Sequence, residues 1–288
     1  MPSALPPPSV LLDAAATWST SVGHGGAVEL VEEWLWPHGQ SRVAHVRTGA
    51  GDVVVKWERS ARNVERAVEA LRRYVPVLGD DAGQLLAADV DAHVLVMTHV
   101  PGTLAVGAVA LDPDVHRQAG ALLARLHASA PAVPDEGYGE RLLAELDEKI
   151  SAHAGLVDAA DLVRLRAVAA PVAHVRSVRL VPTHRDYGPR NWLVDAQGRV
   201  RVIDFAHCEP SPWAVDLQKL TMREWRGRPD LEAAFLEGYG RVPDDEDRLV
   251  LRAYVALSTL AIIAWSIAHD DPAFEAEARS VLAGLVAG

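Results

Sequence analysis

Asp186, Asn191 and Asp204 are the residues of this chain whose types and spacing are equipped for chemistry. Asp186 and Asn191 share the segment Thr183-His184-Arg185-Asp186-Tyr187-Gly188-Pro189-Arg190-Asn191, where Gly188 and Pro189 break regular structure. Both side chains are therefore expected on a loop. Asp204 ends an apolar β run, Val202-Ile203, a place where an acid is costly unless it is paired or bound to a cation. Two carboxylates and one amide carbonyl are hard oxygen donors. They suit Mg²⁺, which keeps some of its waters and takes its remaining ligands from phosphate.

Such groups need elements that hold them. Residues 29–36, 42–47 and 53–57 are rich in β-formers and are separated by turn signals at 37–41 and 48–52, which predicts an antiparallel meander of three strands. A helix is expected over 62–74, with Val64, Ala67, Val68, Leu71 and Val75 on one face and Pro76 as its stop. Two further strands, 84–89 and 93–99, precede the break Val100-Pro101-Gly102. Beyond it the pattern is helical. Asp112 reads as an N-cap with Pro113 in the first helical position, and Ala119, Leu122, Leu123 and Leu126 form the apolar stripe. Helices are also expected over 141–150, 159–170, 231–239, 245–267 and 272–286. A single β island, 192–194 and 200–205 around the turn Asp195-Ala196-Gln197-Gly198, interrupts them. The predicted class is α+β in two lobes, residues 1–100 and 101–288, with a hinge near 97–102 and a ligand cleft between the lobes.

Composition bounds the partners. The 288 residues are 49% hydrophobic, enough for a full core, and 28 Lys and Arg stand against 39 Asp and Glu for a formal charge of −11. That balance repels nucleic acid and anionic lipid and attracts cationic small molecules. Cys208 is the only cysteine, so no internal disulfide forms and no cysteine cluster has zinc spacing, in keeping with a reducing cytoplasm. The start, Met1-Pro2-Ser3-Ala4-Leu5-Pro6-Pro7-Pro8, does not read as a signal peptide. The apolar run 253–268 is shorter than the roughly 20 residues of a membrane span and is expected as a buried helix. No obligatory protein partner is evident.

His184-x-Asp186, four residues, Asn191, and then a strand ending in Asp204-Phe205 is the order of the kinase signature. With it come Lys56 at the end of Val53-Val54-Val55, the helix Leu123-Ala124-Arg125-Leu126-His127-Ala128, and Ala214-Val215-Asp216-Leu217. On these residues, from about position 29 to the C-terminus, the chain resembles the aminoglycoside phosphotransferase and choline kinase family. The resemblance implies a protein-kinase-like two-lobe fold with a catalytic hairpin, and ATP or GTP with Mg²⁺ as cofactors. It implies that Asp186 orients an acceptor hydroxyl and takes its proton, that Asn191 and Asp204 hold the metal, and that Lys56 neutralises nucleotide phosphates. A carboxylate on the next helix, Glu65 or alternatively Glu69, is expected to hold Lys56. His184 and Asp216 are expected to brace the loop. Backbone groups of Thr98–Val100 would meet the nucleotide base, and Ser41 with the turn 37–41 would cover the phosphates, because no Gly-x-Gly-x-x-Gly is present. Glu209, Asp270, Asp271 and Glu275 fall where the family lines its acceptor pocket. The chain departs from the family in having Arg185 where His-Gly-Asp is usual and Ala206 where many kinases have Gly; it also lacks an Ala-Pro-Glu segment. His127 and Cys208 are expected to be buried without a chemical role.

Three readings follow: a kinase acting on a hydroxyl of a cationic antibiotic, an aminoglycoside above all; a kinase of choline-like, sugar or amino-alcohol metabolites; and a non-catalytic nucleotide-binding module. A choline site would call for an aromatic cage, for which Trp213, Trp225 and Trp265 are the available side chains, although packing is the more ordinary use of a tryptophan.

Overall fold

The computed structural model describes residues 5–35 and 40–287. The predicted turn at 37–41 lies outside the described residues except for Gln40 and Ser41. Strands β1 (Glu29–Trp34), β2 (Ser41–Thr48), β3 (Gly51–Glu58), β4 (Leu85–Asp89) and β5 (Val94–Thr98) form one antiparallel sheet in the order β1-β2-β3-β5-β4. The meander is as expected. Alternation along a strand sends every second side chain to the same face. Val53 and Val55 therefore pack with Ala44, Val46, Val94 and Val96 on one side, while Lys56 shares its face with Glu58.

Helix α1 (Pro8–Ser21) covers the valine face through Leu11 and Ala15. This helix was not expected, because the proline run reads as irregular; yet Pro8 stands at the first helical position, where a missing N–H costs nothing. Helix α2 (Ala61–Arg73) lies on the opposite face, with Val64, Ala67 and Val68 against Leu95, and Ser60 caps it by accepting from the Asn63 amide.

The rest of the chain is built on helices α3 (Pro113–His127), α4 (Tyr138–Ala152), α5 (Ala159–Ala169), α6 (Gln218–Met222), α7 (Pro229–Tyr239), α8 (Asp245–Ala268) and α9 (Pro272–Ala287). Asp112 caps α3 as predicted. Helices α3 and α7 cross with backbones in near contact: a Cβ on Gly120 would strike the Phe235 carbonyl, and one on Gly238 the Arg117 carbonyl. Helix α8 is long and apolar enough to cross a membrane by length and composition, and Val250, Ala253, Ala256, Leu260 and Ile263 are buried in a core shared with α4, α5 and α9.

The single β island of the sequence reading is one of two small sheets. β9 (Trp192–Val194) pairs with β10 (Val200–Val202) and with β6 (Thr103–Leu104). A second sheet joins β7 (Val133–Glu136), β8 (Ser177–Thr183) and β11 (Glu209–Pro212). Prolines within β7, β8 and β11 disguise these strands as turns. β8 delivers the chain into the Asp186 loop, and the β11 register sets Glu209 opposite Thr183 at the loop's start.

Candidate active site

The loop carrying Asp186 is anchored by its own large side chains. Tyr187 and Trp192 are fully buried in the core between α3 and α7, and the Tyr187 hydroxyl donates to the Ala119 carbonyl at 2.7 Å. Asp216 holds the backbone. Its carboxylate, with no exposed surface, accepts from the amides of His184 (2.8 Å) and Arg185, and from His127 Nε2 at 2.9 Å. The Tyr239 hydroxyl satisfies the other His127 nitrogen at 2.8 Å. The His184 ring ties the loop to the next strand: Nε2 donates to the Ile203 carbonyl at 3.0 Å, and Nδ1 accepts from the Asp186 amide. His184 and Asp216 thus brace the loop as expected, and His127 is the buried residue anticipated, with a definite task in that brace.

Asp186 is buried, and its carboxylate meets Arg190, the Asn191 amide nitrogen at 2.9 Å and, at 4.0 Å, the Lys219 ammonium. Burial alone would raise its pKa; Arg190 and Lys219 outweigh burial and hold it below the ordinary carboxylate value. Asn191 also donates to the Asp186 carbonyl at 2.8 Å, so its N–H groups are committed and its carbonyl oxygen is the group left for a metal.

Across the cleft, Lys56 Nζ donates to Asp204 Oδ1 at 2.8 Å and lies 3.4 Å from Glu58 Oε2. The two carboxylates keep Lys56 charged against the opposing effect of burial, and Lys56 in turn holds Asp204, whose side chain is 39% exposed, below the ordinary carboxylate value. Asp204 has φ = 66°, a left-handed backbone that an Asp tolerates better than a branched residue and that marks the abrupt end of the β10 run. An ionised carboxylate and an amide carbonyl fit the hard-oxygen demand of Mg²⁺. The expected helix partner of Lys56 is a correction. Glu65 and Glu69 are exposed on α2, and Glu69 pairs with Arg73 at 2.7 Å. Val64, Ala67, Val68 and Leu71 bury one face of α2, which turns Glu65 outward, while Glu58 shares a strand face with Lys56.

Three of the four expected acceptor carboxylates are committed elsewhere, and the fourth, Asp270, is exposed. Glu209 is clamped by Arg66 of α2 and by Arg185, with Arg62 3.9 Å away. Asp271 accepts from the Phe274 amide at the start of α9, Glu275 pairs with Arg279 at 2.7 Å, and Asp270 is exposed in the turn before α9. The acids that line a cleft of about 710 Å³ beside the loop are Glu224 and Glu277, together with Leu111, Met222, Arg223 and Arg226. Glu277 pairs with Arg223 at 2.6 Å, whereas Glu224 has a buried oxygen without a partner among the described residues, and burial raises its pKa. Glu209→Gln is expected to destabilise the fold by about 2 kcal/mol, since three arginines lose their shared anion. Equilibrium urea unfolding measures this, and an unchanged midpoint would remove the clamp from the account.

Ser41 begins β2 opposite Glu58. Thr98 is a partial correction: its amide donates to the Gln84 carbonyl and its hydroxyl accepts from the Gln84 amide, both at 2.9 Å, so its N–H serves the sheet. Val100 is buried at the connector. The sequence reading missed Glu58, Arg190 and Lys219. Glu58 was detectable as the acid two residues from Lys56 on one strand; Lys219 carries no local signal.

The family model described as "Phosphotransferase enzyme family" matches residues 36–254. A macrolide 2'-phosphotransferase type I superposes with a TM-score of 0.65 at 16% identity, covering 97% of this chain and 99% of that one. Aminoglycoside phosphotransferase APH(4)-Ia gives 0.69 at 16%, covering 95% and 98%. A choline/ethanolamine kinase family protein from Mesorhizobium loti gives 0.67 at 20%, covering 96% and 93%. At these identities the likeness carries the fold. No curated protein matches the chain in sequence.

Proposed function

Since the chain belongs to the phosphotransferase enzyme family, we propose that it transfers the terminal phosphoryl group of ATP, with Mg²⁺, to a hydroxyl of a cationic small molecule, an aminoglycoside or another basic antibiotic being the leading acceptor. The observation that carries this is the 2.8 Å contact of Lys56 with Asp204, two residues 148 positions apart that meet across the cleft from the Asp186 loop. Residues 1–100 hold the nucleotide and residues 101–288 the acceptor, with the base against the Val100 backbone. Lys56 neutralises nucleotide phosphates. Asn191 and Asp204 hold the metal, which when bound offsets phosphate charge. Asp186 orients the hydroxyl and accepts its proton, and transfer otherwise needs positioning and electrostatics.

The cationic acceptor is supported by Glu224 on the cleft wall and by the −11 charge. Of the three tryptophans available for a quaternary-amine cage, Trp213 stacks on Tyr239 under Arg241 and Trp225 is buried against Phe235, so both are used in packing, while Trp265 stacks on His269 at 4.1 Å beside Phe274. The reading is tested by ADP release over a panel of aminoglycosides, basic peptide and nucleoside antibiotics, choline, amino alcohols and sugars. Turnover confined to neutral sugars would sink the cationic acceptor. Magnesium-dependent nucleotide binding without turnover on any of them would favour a non-catalytic module.

A further inference from the structure

Lys219 helps to keep Asp186 ionised from 4.0 Å but makes no hydrogen bond to it. It lies in α6, directly after Gln218, whose side chain fastens that helix to the Asp186 loop by donating to the Arg185 carbonyl at 3.3 Å and to α8 by accepting from Ser258 at 2.6 Å. The lysine stem starts beside Gly188 of the loop, where an added Cβ would lie 3.8 Å from Lys219 Cβ. Only 18% of the side chain is exposed. Among the described residues, the nearest carboxylate oxygen is that of Asp186 at 4.0 Å, beyond hydrogen-bond reach. Arg190, Arg223 and Glu277 complete its charged surroundings, so like charges face it as well as acids, and burial with these arginines lowers its pKa. Arg190, by contrast, is engaged by both oxygens of Asp186.

A desolvated ammonium without a hydrogen-bonded anion is costly to keep. It is well used where negative charge arrives during a reaction, because a preorganised donor needs no reorganisation at that moment. We propose that Lys219 is a catalytic residue that binds the equatorial oxygens of the phosphoryl group in flight. The inference rests on the phosphotransferase reading above. In the transfer, the bond from the terminal phosphorus to the bridging oxygen breaks and its electron pair leaves with ADP. The acceptor oxygen forms the new bond to phosphorus, and the acceptor's proton passes to Asp186. Lys219 keeps its proton throughout and donates hydrogen bonds to the oxygens that neither attack nor leave.

The test needs no knowledge of the acceptor. Calorimetry measures the affinity for MgADP with and without aluminium fluoride, a planar mimic of the transferring group, in the wild type, Lys219→Met and Lys219→Arg. The wild type is expected to bind MgADP more tightly with fluoride present. Lys219→Met should keep its affinity for MgADP alone within about twofold while losing on the order of 10²-fold of that tightening, and Lys219→Arg should retain most of it. The thermal midpoint of Lys219→Met should not fall, since the cation removed is poorly paired. Equal tightening in Lys219→Met and wild type, or no tightening in the wild type, overturns the inference. A parallel loss of affinity for MgADP alone also overturns it, by making Lys219 a structural residue. Failure of the wild type to bind MgADP at all sinks the phosphotransferase reading itself, and this inference with it.

Discussion

Asp186→Asn is expected to lower turnover by about 10³-fold while leaving the affinity for magnesium nucleotide nearly intact. The size follows from losing a positioned proton acceptor, worth roughly 10² to 10⁴ in rate. The split between rate and affinity follows from the layout. Asp186 meets Arg190, Asn191 and Lys219, whereas Lys56, the residue proposed to meet the phosphates, is held by Asp204 and Glu58. The amide keeps the volume and the Asn191 contact but loses the negative charge. The pH dependence has a definite sign. Because its flanking cations hold Asp186 below the ordinary carboxylate value, it is ionised throughout the neutral range, and its protonation should lower activity only at pH below the ordinary carboxylate range. Single-turnover ADP release and nucleotide calorimetry read the two quantities separately. A variant with wild-type turnover on a true acceptor would show that the proton goes elsewhere.

Asp216→Ala is expected to cost about 3–5 kcal/mol of stability, the largest loss from any single side chain described above. Removing this fully buried carboxylate strands the amides of His184 and Arg185 and one nitrogen of His127. Each stranded donor carries a desolvation penalty of about 1–3 kcal/mol, so three of them set the lower end near 3 kcal/mol, and partial access of water to the vacated space limits the upper end. Asn is a poor substitute: its NH₂ would face an N–H donor where a second acceptor oxygen is required. Denaturant unfolding reads the loss directly. A cost below about 1 kcal/mol would mean that water replaces the carboxylate and that the brace is dispensable.

What was legible in the sequence was local. Asp186, Asn191 and Asp204 declare themselves because loop, turn and strand signals lie within a few residues of each. The stripe of α3 and its Asp112-Pro113 start are likewise written in adjacent positions. What was not legible depends on pairings between distant segments. The Arg66–Glu209 contact joins residues 143 apart, and nothing near Glu209 distinguishes an acid spent on arginines from one offered to a ligand. The same ignorance produced the error at Glu65, where helical phase sends the carboxylate to solvent and a strand neighbour takes its place. Strands β7 and β11 escaped because each carries proline and is completed only by its pairing with β8.

The backbone of Arg185 has φ = 63°, where a glycine would rest without strain, yet its guanidinium reaches Glu209 and packs 5.6 Å over the Tyr254 ring. Glycine at 185 would relax the backbone but leave Glu209 to Arg62 and Arg66. Arginine at 185 without an acid at 209 would crowd three cations together. With glycine at 185 the acid at 209 still has Arg66, so the coupling runs one way: losing Glu209 costs more while Arg185 is present. A chimera that grafts a His-Gly-Asp loop onto this chain therefore has reason to keep Glu209, which Arg66 still needs.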